Sequence, residues 1–354
     1  MENRSPRQNV DGLAGPGQVC RISGLMSNLG SRRVMYDKTP KHSARAEQGR
    51  EVTVDLIAVL VAVTNDRPCV LTIRQARALP SGPFELGHRS LQSGLRDWVE
   101  QQTGHPLGYI EQLYTFADRD RVGHERVQRV ISISYLGLTR QDQAEDAPNR
   151  DWRCWYDYFP WEDHRAGQPP MLRDVLEPQL RDWAKAASGA ELRQDRWQRA
   201  AIAFGFDAYG WNEELVLQRY ELLYEALLVE EAQRGGQTGD PLPIPGQSMA
   251  ADHRRILATG IARLRSKIKY RPVVFELMPP VFTLLQLQRT VEALVGRLVH
   301  KQNFRRLIEQ QELVEETGET TADTGGRPAK LFRFRHAVLT ERSVAGTKLP
   351  LSRA

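Results

Sequence analysis

Asp97 and Glu100 stand three residues apart in a stretch of helical period, so both carboxylates can share one helix face. Carboxylates gathered in this way ligate hard cations such as Mg²⁺, which take oxygen donors. A second constellation lies towards the other end of the chain. Phe304, Leu307, Ile308 and Gln311 recur on one inward face at 3.6 spacing, leaving Lys301, Gln302, Arg305 and Arg306 pointing elsewhere and Asn303 near the boundary. Gln and Asn suit adenine edges and Arg suits guanine or phosphate, so this helix has the chemistry of a DNA reader.

The elements that must position these groups follow from periodicity. Val52, Val54 and Leu56–Val63 predict a strand, Asn65–Pro68 a turn, and Cys69–Ile73 a second strand. A Gly/Pro loop at Leu79–Gly87 precedes a helix whose Leu91, Leu95, Trp98 and Val99 share a face and whose C′ residue is Gly104. Tyr109–Phe116 and Val127–Leu136 predict further strands. The aromatic run Trp152–Trp161 suits a core or dimer interface better than a base-stacking platform. Trp211–Glu231 predicts a helix, and Gly235–Gly246, with Pro241, Pro243 and Pro245, a linker. A helix basic on its exposed side is expected from about Ala251 to Tyr270. Thr283 and Gln286 form a capping box for a helix from Leu284 to Gly296, and a second helix starts near His300. Leu313–Thr317 and Ala329–Phe334 then read as a charged β-wing bearing Arg327 and Lys330. Arg327 is suited to a minor groove or to phosphate, and the sequence leaves both open. The candidate DNA contacts are Thr283, Lys301, Gln302, Asn303, Arg305, Arg306, Arg327 and Lys330.

The segment from Leu79–Pro80–Ser81–Gly82 through Arg96–Asp97–Trp98–Val99–Glu100–Gln101–Gln102–Thr103–Gly104 resembles the Nudix box. Against that pattern Arg96 and Glu100 match. The first Glu position falls on His88, the next on Asp97, Gln101 replaces a further Glu, and the closing glycine comes one residue late. Tyr109–Arg119, the helix beginning Trp211–Asn212–Glu213–Glu214–Leu215 and the wing Gly326–Arg327–Pro328–Ala329 are similar to one branch of that superfamily, the Nudix-related transcriptional regulators of NAD metabolism. The resemblance covers about residues 51–340. It implies an α/β fold, a Nudix-like α/β/α sandwich followed by a C-terminal winged helix-turn-helix domain. It also implies a pocket for NAD, ADP-ribose or a related adenine nucleotide, with Arg74, Arg77, Glu111, Tyr114, Arg119 and Arg129 as candidate ligand groups. Arginines suit diphosphates because the guanidinium fork pairs with them bidentately, and Tyr114 is placed to stack on a base.

Charge along the 354 residues is uneven. Residues 1–50 hold 9 Lys/Arg against 4 Asp/Glu, residues 51–252 hold 21 against 31, and residues 253–354 hold 19 against 9. That asymmetry is the footprint of a polyanion-binding module joined to an unrelated one. The three cysteines, Cys20, Cys69 and Cys154, share no metal-ligand spacing, which argues against a disulfide framework or zinc site and for a reducing compartment. The longest apolar run, Leu56–Val63, is far short of the roughly 20 residues of a membrane span, and no stretch has signal-peptide length. A cytoplasmic protein with no membrane association is expected. Its expected parts are a disordered arm (1–48), a Nudix-like ligand-sensing domain (49–234), a linker (235–250), a winged-helix DNA-binding domain (251–345) and a tail (346–354). The functional expectation is a repressor of NAD biosynthesis or salvage genes. It would bind a palindromic operator on double-stranded DNA as a homodimer, sense a nucleotide effector, and need no catalytic cofactor. The competing readings are a Mg²⁺-dependent Nudix hydrolase of ADP-ribose or a dinucleotide, and an adaptor without ligand.

Overall fold

The run Leu56–Val63 is apolar on consecutive residues because both faces of its strand are covered. In the computed structural model it lies in β1 (Val52–Thr64), whose Ile57, Val59 and Val61 enter one buried cluster and whose Leu56, Ala58 and Leu60 enter another. A strand buried on both sides loses the apolar/polar alternation of a half-exposed one. The structure describes residues 52–108, 110–118, 129–140, 151–234, 245–269, 273–322 and 328–335. The predicted arm and tail, residues 235–244 of the predicted linker, Arg119, Arg327 and the side chain of Arg129 lie outside the described residues.

β1 turns into β2 (Arg67–Thr72) through Asn65 and Asp66, both at positive φ (50° and 58°), which matches the right-handed twist of a two-residue hairpin. The remaining strands of this sheet are β3 (Ser81–Pro83), β4 (Ile110–Phe116), β5 (Arg129–Leu138) and β6 (Asp151–Cys154). Their order is β4-β5-β1-β2-β6 with β3 beside β1, and only the β1–β5 pairing is parallel. Helix α1 (Leu91–Thr103) covers one face through Leu95 and Val99, and ends at Gly104 in the left-handed conformation (φ 61°) as the sequence predicts.

The opposite face carries the larger core. Trp155, Tyr158, Phe159 and Trp161 are fully buried there, so the aromatic run is interior. Helices α2 (Glu177–Lys185) and α3 (Ala190–Phe204) follow. The helix predicted over Trp211–Glu231 is two helices, α4 (Val216–Glu225) and α5 (Glu230–Gln233). Leu227 adopts positive φ (58°) and the Leu228 N–H donates back to the Leu223 carbonyl at 2.9 Å. That terminal turn ends α4, and Leu228 and Val229 after it are both buried. Next comes α6 (His253–Ile268), laid against β1 so closely that a Cβ on Gly260 would sit 2.9 Å from a methyl of Val59.

The last elements are α7 (Leu284–Val295), α8 (Lys301–Gln310), and strands β7 (Val314–Thr321) and β8 (Ala329–Phe334). Phe282 bridges to Phe332, adding a third rung beside the β7–β8 hairpin. This is a helix-turn-helix with a wing. Its Leu287, Val291, Leu294 and Val295 belong to the same apolar cluster as Val59, Val61 and Trp161. The architecture is therefore an α/β Nudix-like sandwich followed by a C-terminal winged helix, with hydrophobic packing continuous from one to the other.

Candidate nucleic-acid interface and ligand site

The helix expected to read DNA is shaped by two clamps. Thr283 accepts the Gln286 N–H at 3.2 Å while the Thr283 N–H donates to the Gln286 side chain at 2.7 Å, which is the predicted capping box. Thr283 is buried and its hydroxyl is engaged in that cap, so its place is at the start of α7. At the other end of α7, Glu292 accepts both the Val299 N–H and the Gln288 amide at 3.0 Å, fixing the chain one residue before the N-cap His300.

Along α8, Phe304 and Ile308 are buried while Lys301, Gln302, Asn303, Arg305 and Arg306 are exposed. No salt bridge is formed by Lys301, Arg305 or Arg306 among the described residues. His300 provides no side-chain cap and the first turn holds no acid, so the first amides of α8 also face outward without a carboxylate. The wing differs from the basic grip expected of it. Lys330 pairs with Glu316 at 2.8 Å, Arg333 with Glu315 at 2.7 Å and Arg335 with Glu312 at 2.8 Å. Glu315 and Glu316 of β7, with Glu312 just before it, pair the cations of β8 and its continuation, whereas Lys301, Arg305 and Arg306 of α8 have no such partner among the described residues.

Helix α6 is a second departure. Arg263 lies on the expected exposed basic side, but Arg254 and Arg265 are fully buried and Arg255 is partly buried. Each has acidic partners: Arg254 with Glu231, Arg255 with Asp118, Glu221 and Asp252, and Arg265 with Glu162. Glu162 also takes a bidentate pair from Arg219 at 2.5 and 2.9 Å, which makes a buried Arg–Glu–Arg triad. Burial opposes the charged carboxylate, but the two guanidiniums outweigh it and hold Glu162 below the usual carboxylate range. The same Arg265 donates to the Leu294 carbonyl at 2.9 Å. Tyr156 donates to Ala293 O and the His164 N–H to Gly296 O, both at 2.7 Å. The end of α7 is thus seated on the aromatic segment of the sandwich, and an added Cβ on Gly296 (φ 79°) would collide with Glu162 O.

The box helix has changed its purpose. Asp97 and Glu100 are exposed on α1, and among the described residues no group of three or more His, Cys, Asp or Glu side chains is gathered to hold a metal. His88, at the first glutamate position, accepts the Glu85 N–H at 3.0 Å and lies over Gly94, edge-on to Trp98. Trp98 stacks over Gly82 and donates to Pro83 O at 2.8 Å, while Gln102 exchanges two hydrogen bonds with the Ser81 backbone. Arg96 donates to Leu107 O and Gly108 O, and Gln101 is exposed. Neutral side chains therefore staple α1 to its loop. Two exposed carboxylates do not make the multi-oxygen cage that Mg²⁺ takes. Trp98 and Gln102 were missed as staples, although Gly82 and Gly94 were the signal: each is a glycine against which a ring packs.

The candidate ligand residues divide by position. Strands β2 and β4 end, and β5 begins, at the same end of the sheet, which brings there the turn carrying Arg74 and Arg77 and the backbone of Arg129. Arg74, Gln75 and Ala76 all adopt positive φ (54°, 57° and 66°). Three successive left-handed non-glycine residues cost roughly 1–2 kcal/mol each, a cost offset by the Ile73–Ala78 bridge that closes the turn together with contacts from its surroundings. Tyr158 donates to Ala76 O and the Ala250 N–H to Arg77 O, both at 2.6 Å, while the Leu79 N–H donates to His253 Nδ1 at 2.9 Å. Burial and the nearby Arg74 charge push His253 down to about 4, which keeps it the neutral acceptor this bond requires. Arg74 and Arg77 are exposed, Arg77 in a 3.5 Å pair with Glu230. Tyr114 is well exposed with its ring edge-on to Phe116, whereas Glu111 lies at the far end of β4 and is paired with Lys267 of α6.

Comparison with known proteins now bears directly on these two lobes. Residues 274–334 match the family described as the NrtR DNA-binding winged helix domain. The C-terminal lobe is thus similar to an NrtR-type winged helix. A relative from Acinetobacter baylyi, named as an ADPR responsive transcriptional repressor, is 41% identical over 86 residues, covering 24% of this chain and 34% of its own. The match thus spans about a third of that relative's length. Two solved structures resemble the chain more broadly. Shewanella oneidensis NrtR complexed with a 27mer DNA shows 18% identity, a TM-score of 0.49, and coverage of 84% of this chain and 99% of its own. A MutT/nudix family protein from Enterococcus faecalis shows 17% identity, a TM-score of 0.46, and coverage of 84% and 90%. The order of parts in the chain itself is a Nudix-like α/β domain followed by the winged helix that matches this family. No helix among the described residues is long and apolar enough to cross a membrane.

Proposed function

We propose that this chain is a ligand-responsive transcriptional repressor of NAD biosynthesis or salvage genes, which binds double-stranded DNA through α8 and senses an ADP-ribose-type nucleotide through its Nudix-like lobe. The observation that carries the reading is the exposed face of α8. Lys301, Arg305 and Arg306 stand there without acidic partners among the described residues, beside Gln302 and Asn303, on a winged helix whose other described cations are mostly paired. The name of the Acinetobacter baylyi relative, an ADPR responsive repressor, supports both the ligand class and the regulatory role. The acting form is a cytoplasmic homodimer on a palindromic operator, since half-sites roughly 34 Å apart need two-fold symmetry. Residues 49–234 are the sensing part and 251–345 the reading part.

The sensing cleft uses Arg74 and Arg77, with Arg119 and Arg129, to pair the diphosphate, and Tyr114 to meet a base. It carries out no hydrolysis, because Asp97 and Glu100 alone are a poor substitute for a cage of glutamates. Fluorescence anisotropy with duplexes from the chain's own upstream region tests the proposal. Tight binding should fall with salt by about 0.9 in log–log slope per neutralised phosphate, and should change when ADP-ribose is added. Absence of sequence-selective binding, or Mg²⁺-dependent cleavage of ADP-ribose lost in Glu100→Gln, would overturn it.

A further inference from the structure

Helix α6 touches both candidate sites, and its two ends are bonded to different ones. At its N-terminal end, His253 accepts from Leu79 and Ala250 donates to Arg77 O, so the approach to α6 helps to hold the left-handed turn of Arg74–Ala76. At its C-terminal end, Arg265 joins the buried Glu162 to the Leu294 carbonyl in the last turn of α7, the same turn that fixes the start of the reading helix through Glu292 and Val299. Between the two, Gly260 lets the helix lie flat on β1. Sixteen residues span about 24 Å, so a rigid rod reaches from the arginine turn to the winged helix.

We propose that the left-handed turn at Arg74–Ala76 and helix α6 together form the coupling element of this protein. An anionic nucleotide held by Arg74 and Arg77 resets the turn, and α6 carries the change through Arg265 to α7 and α8. The turn qualifies as a two-state element because its conformation is unfavourable for these residues and, beyond its own Ile73–Ala78 closure, it and its exit at Arg77–Leu79 are braced by three contacts from outside, two of them from the segment that begins α6. Relaxing the turn withdraws the Arg77 carbonyl and the Leu79 N–H from their partners, which frees the N-terminal end of α6 to shift. Both ligands then bias one equilibrium, which is what linkage between distant sites requires. This rests on the proposed function, and deepens it by naming the residues through which the effector acts.

The test uses the full chain and its operator duplex, with DNA affinity measured by anisotropy with and without ADP-ribose and nucleotide affinity measured separately by calorimetry. The wild type is expected to show a five-fold or larger change in DNA affinity on adding ADP-ribose. His253→Leu, which removes the acceptor, should bring that ratio close to one while nucleotide still binds. His253→Asn, which offers an oxygen in place of Nδ1, should restore most of it. Gln75→Gly relieves the strained residue and stabilises the turn as it stands, so it should raise Tm yet weaken the response to nucleotide. An undiminished ratio in a folded His253→Leu, or in Gln75→Gly should His253→Leu not fold, overturns this coupling route and leaves the proposed function standing. Failure of the wild type to bind ADP-ribose or operator overturns the proposed function itself, and the coupling route with it.

Discussion

Arg305 and Arg306 are chemically identical to Arg333 and Arg335, but the first pair has no carboxylate partner among the described residues and the second pair does. That difference predicts separate roles. Arg305→Ala and Arg306→Ala should each weaken operator binding and reduce the salt slope by about one where the side chain meets phosphate, whereas Lys330→Ala should leave the slope unchanged, all read by anisotropy at several salt concentrations. Glu162 is the opposite case, a carboxylate whose loss strands two guanidiniums in the core. Glu162→Gln should lower stability by about 3–5 kcal/mol in urea unfolding, because removing one partner of a buried pair leaves charge uncompensated. Its depressed titration means that the stabilisation is present above the usual carboxylate range and is lost as acid takes the pH down through the folded value. None of this pairing was legible in the sequence. A run of basic residues near 254–269 looks the same whether its charges face water or sink against glutamates from 100 residues away.

At the level of elements, Gly296 shows how closely α7 is seated. Gly296→Ala adds a methyl against Glu162 O at a positive φ and should cost on the order of 1–3 kcal/mol, seen as a lower Tm. His253, at the start of α6, gives a pH signature. Its folded value of about 4 lies below the ordinary 6.5, so the unfolded chain binds the extra proton first. Stability should therefore be intact above pH 6.5 and decline by about 3 kcal/mol as pH falls towards 4, with His253→Asn flattening that window in urea titrations. Local pattern revealed most of the elements. Both capping glycines, the capping box at Thr283, strands β1, β2 and β4, and both reading-motif helices stand where periodicity places them. What local pattern missed depended on distant partners: the break of the predicted Trp211–Glu231 helix at Leu227, the staple of Trp98 over Gly82, and the left-handed turn that three outside hydrogen bonds brace. The carboxylate-poor box was legible because ligand chemistry depends on residue type, while the placing of the Arg74–Arg77 turn at the sheet end where β5 begins required the strand order.

For the molecule as a whole, ADP-ribose at a hundredfold excess over its Kd should add about 2.7 kcal/mol to stability and raise Tm by a few degrees in a thermal-shift assay. No shift across a panel of adenine nucleotides would remove the sensing role. The shared core has a further consequence. Leu287, Val291 and Leu294 of the reading motif lie in one apolar cluster with the strands and the buried tryptophans of the sensing part. Heating should therefore give a single calorimetric peak, since neither half retains a complete interior once the other has melted. A fragment cut out at residues 274–334 should clump in solution, its exposed leucines seeking the surface they left behind. Grafting this reader onto a foreign sensor would require importing α6 and its seat along with it.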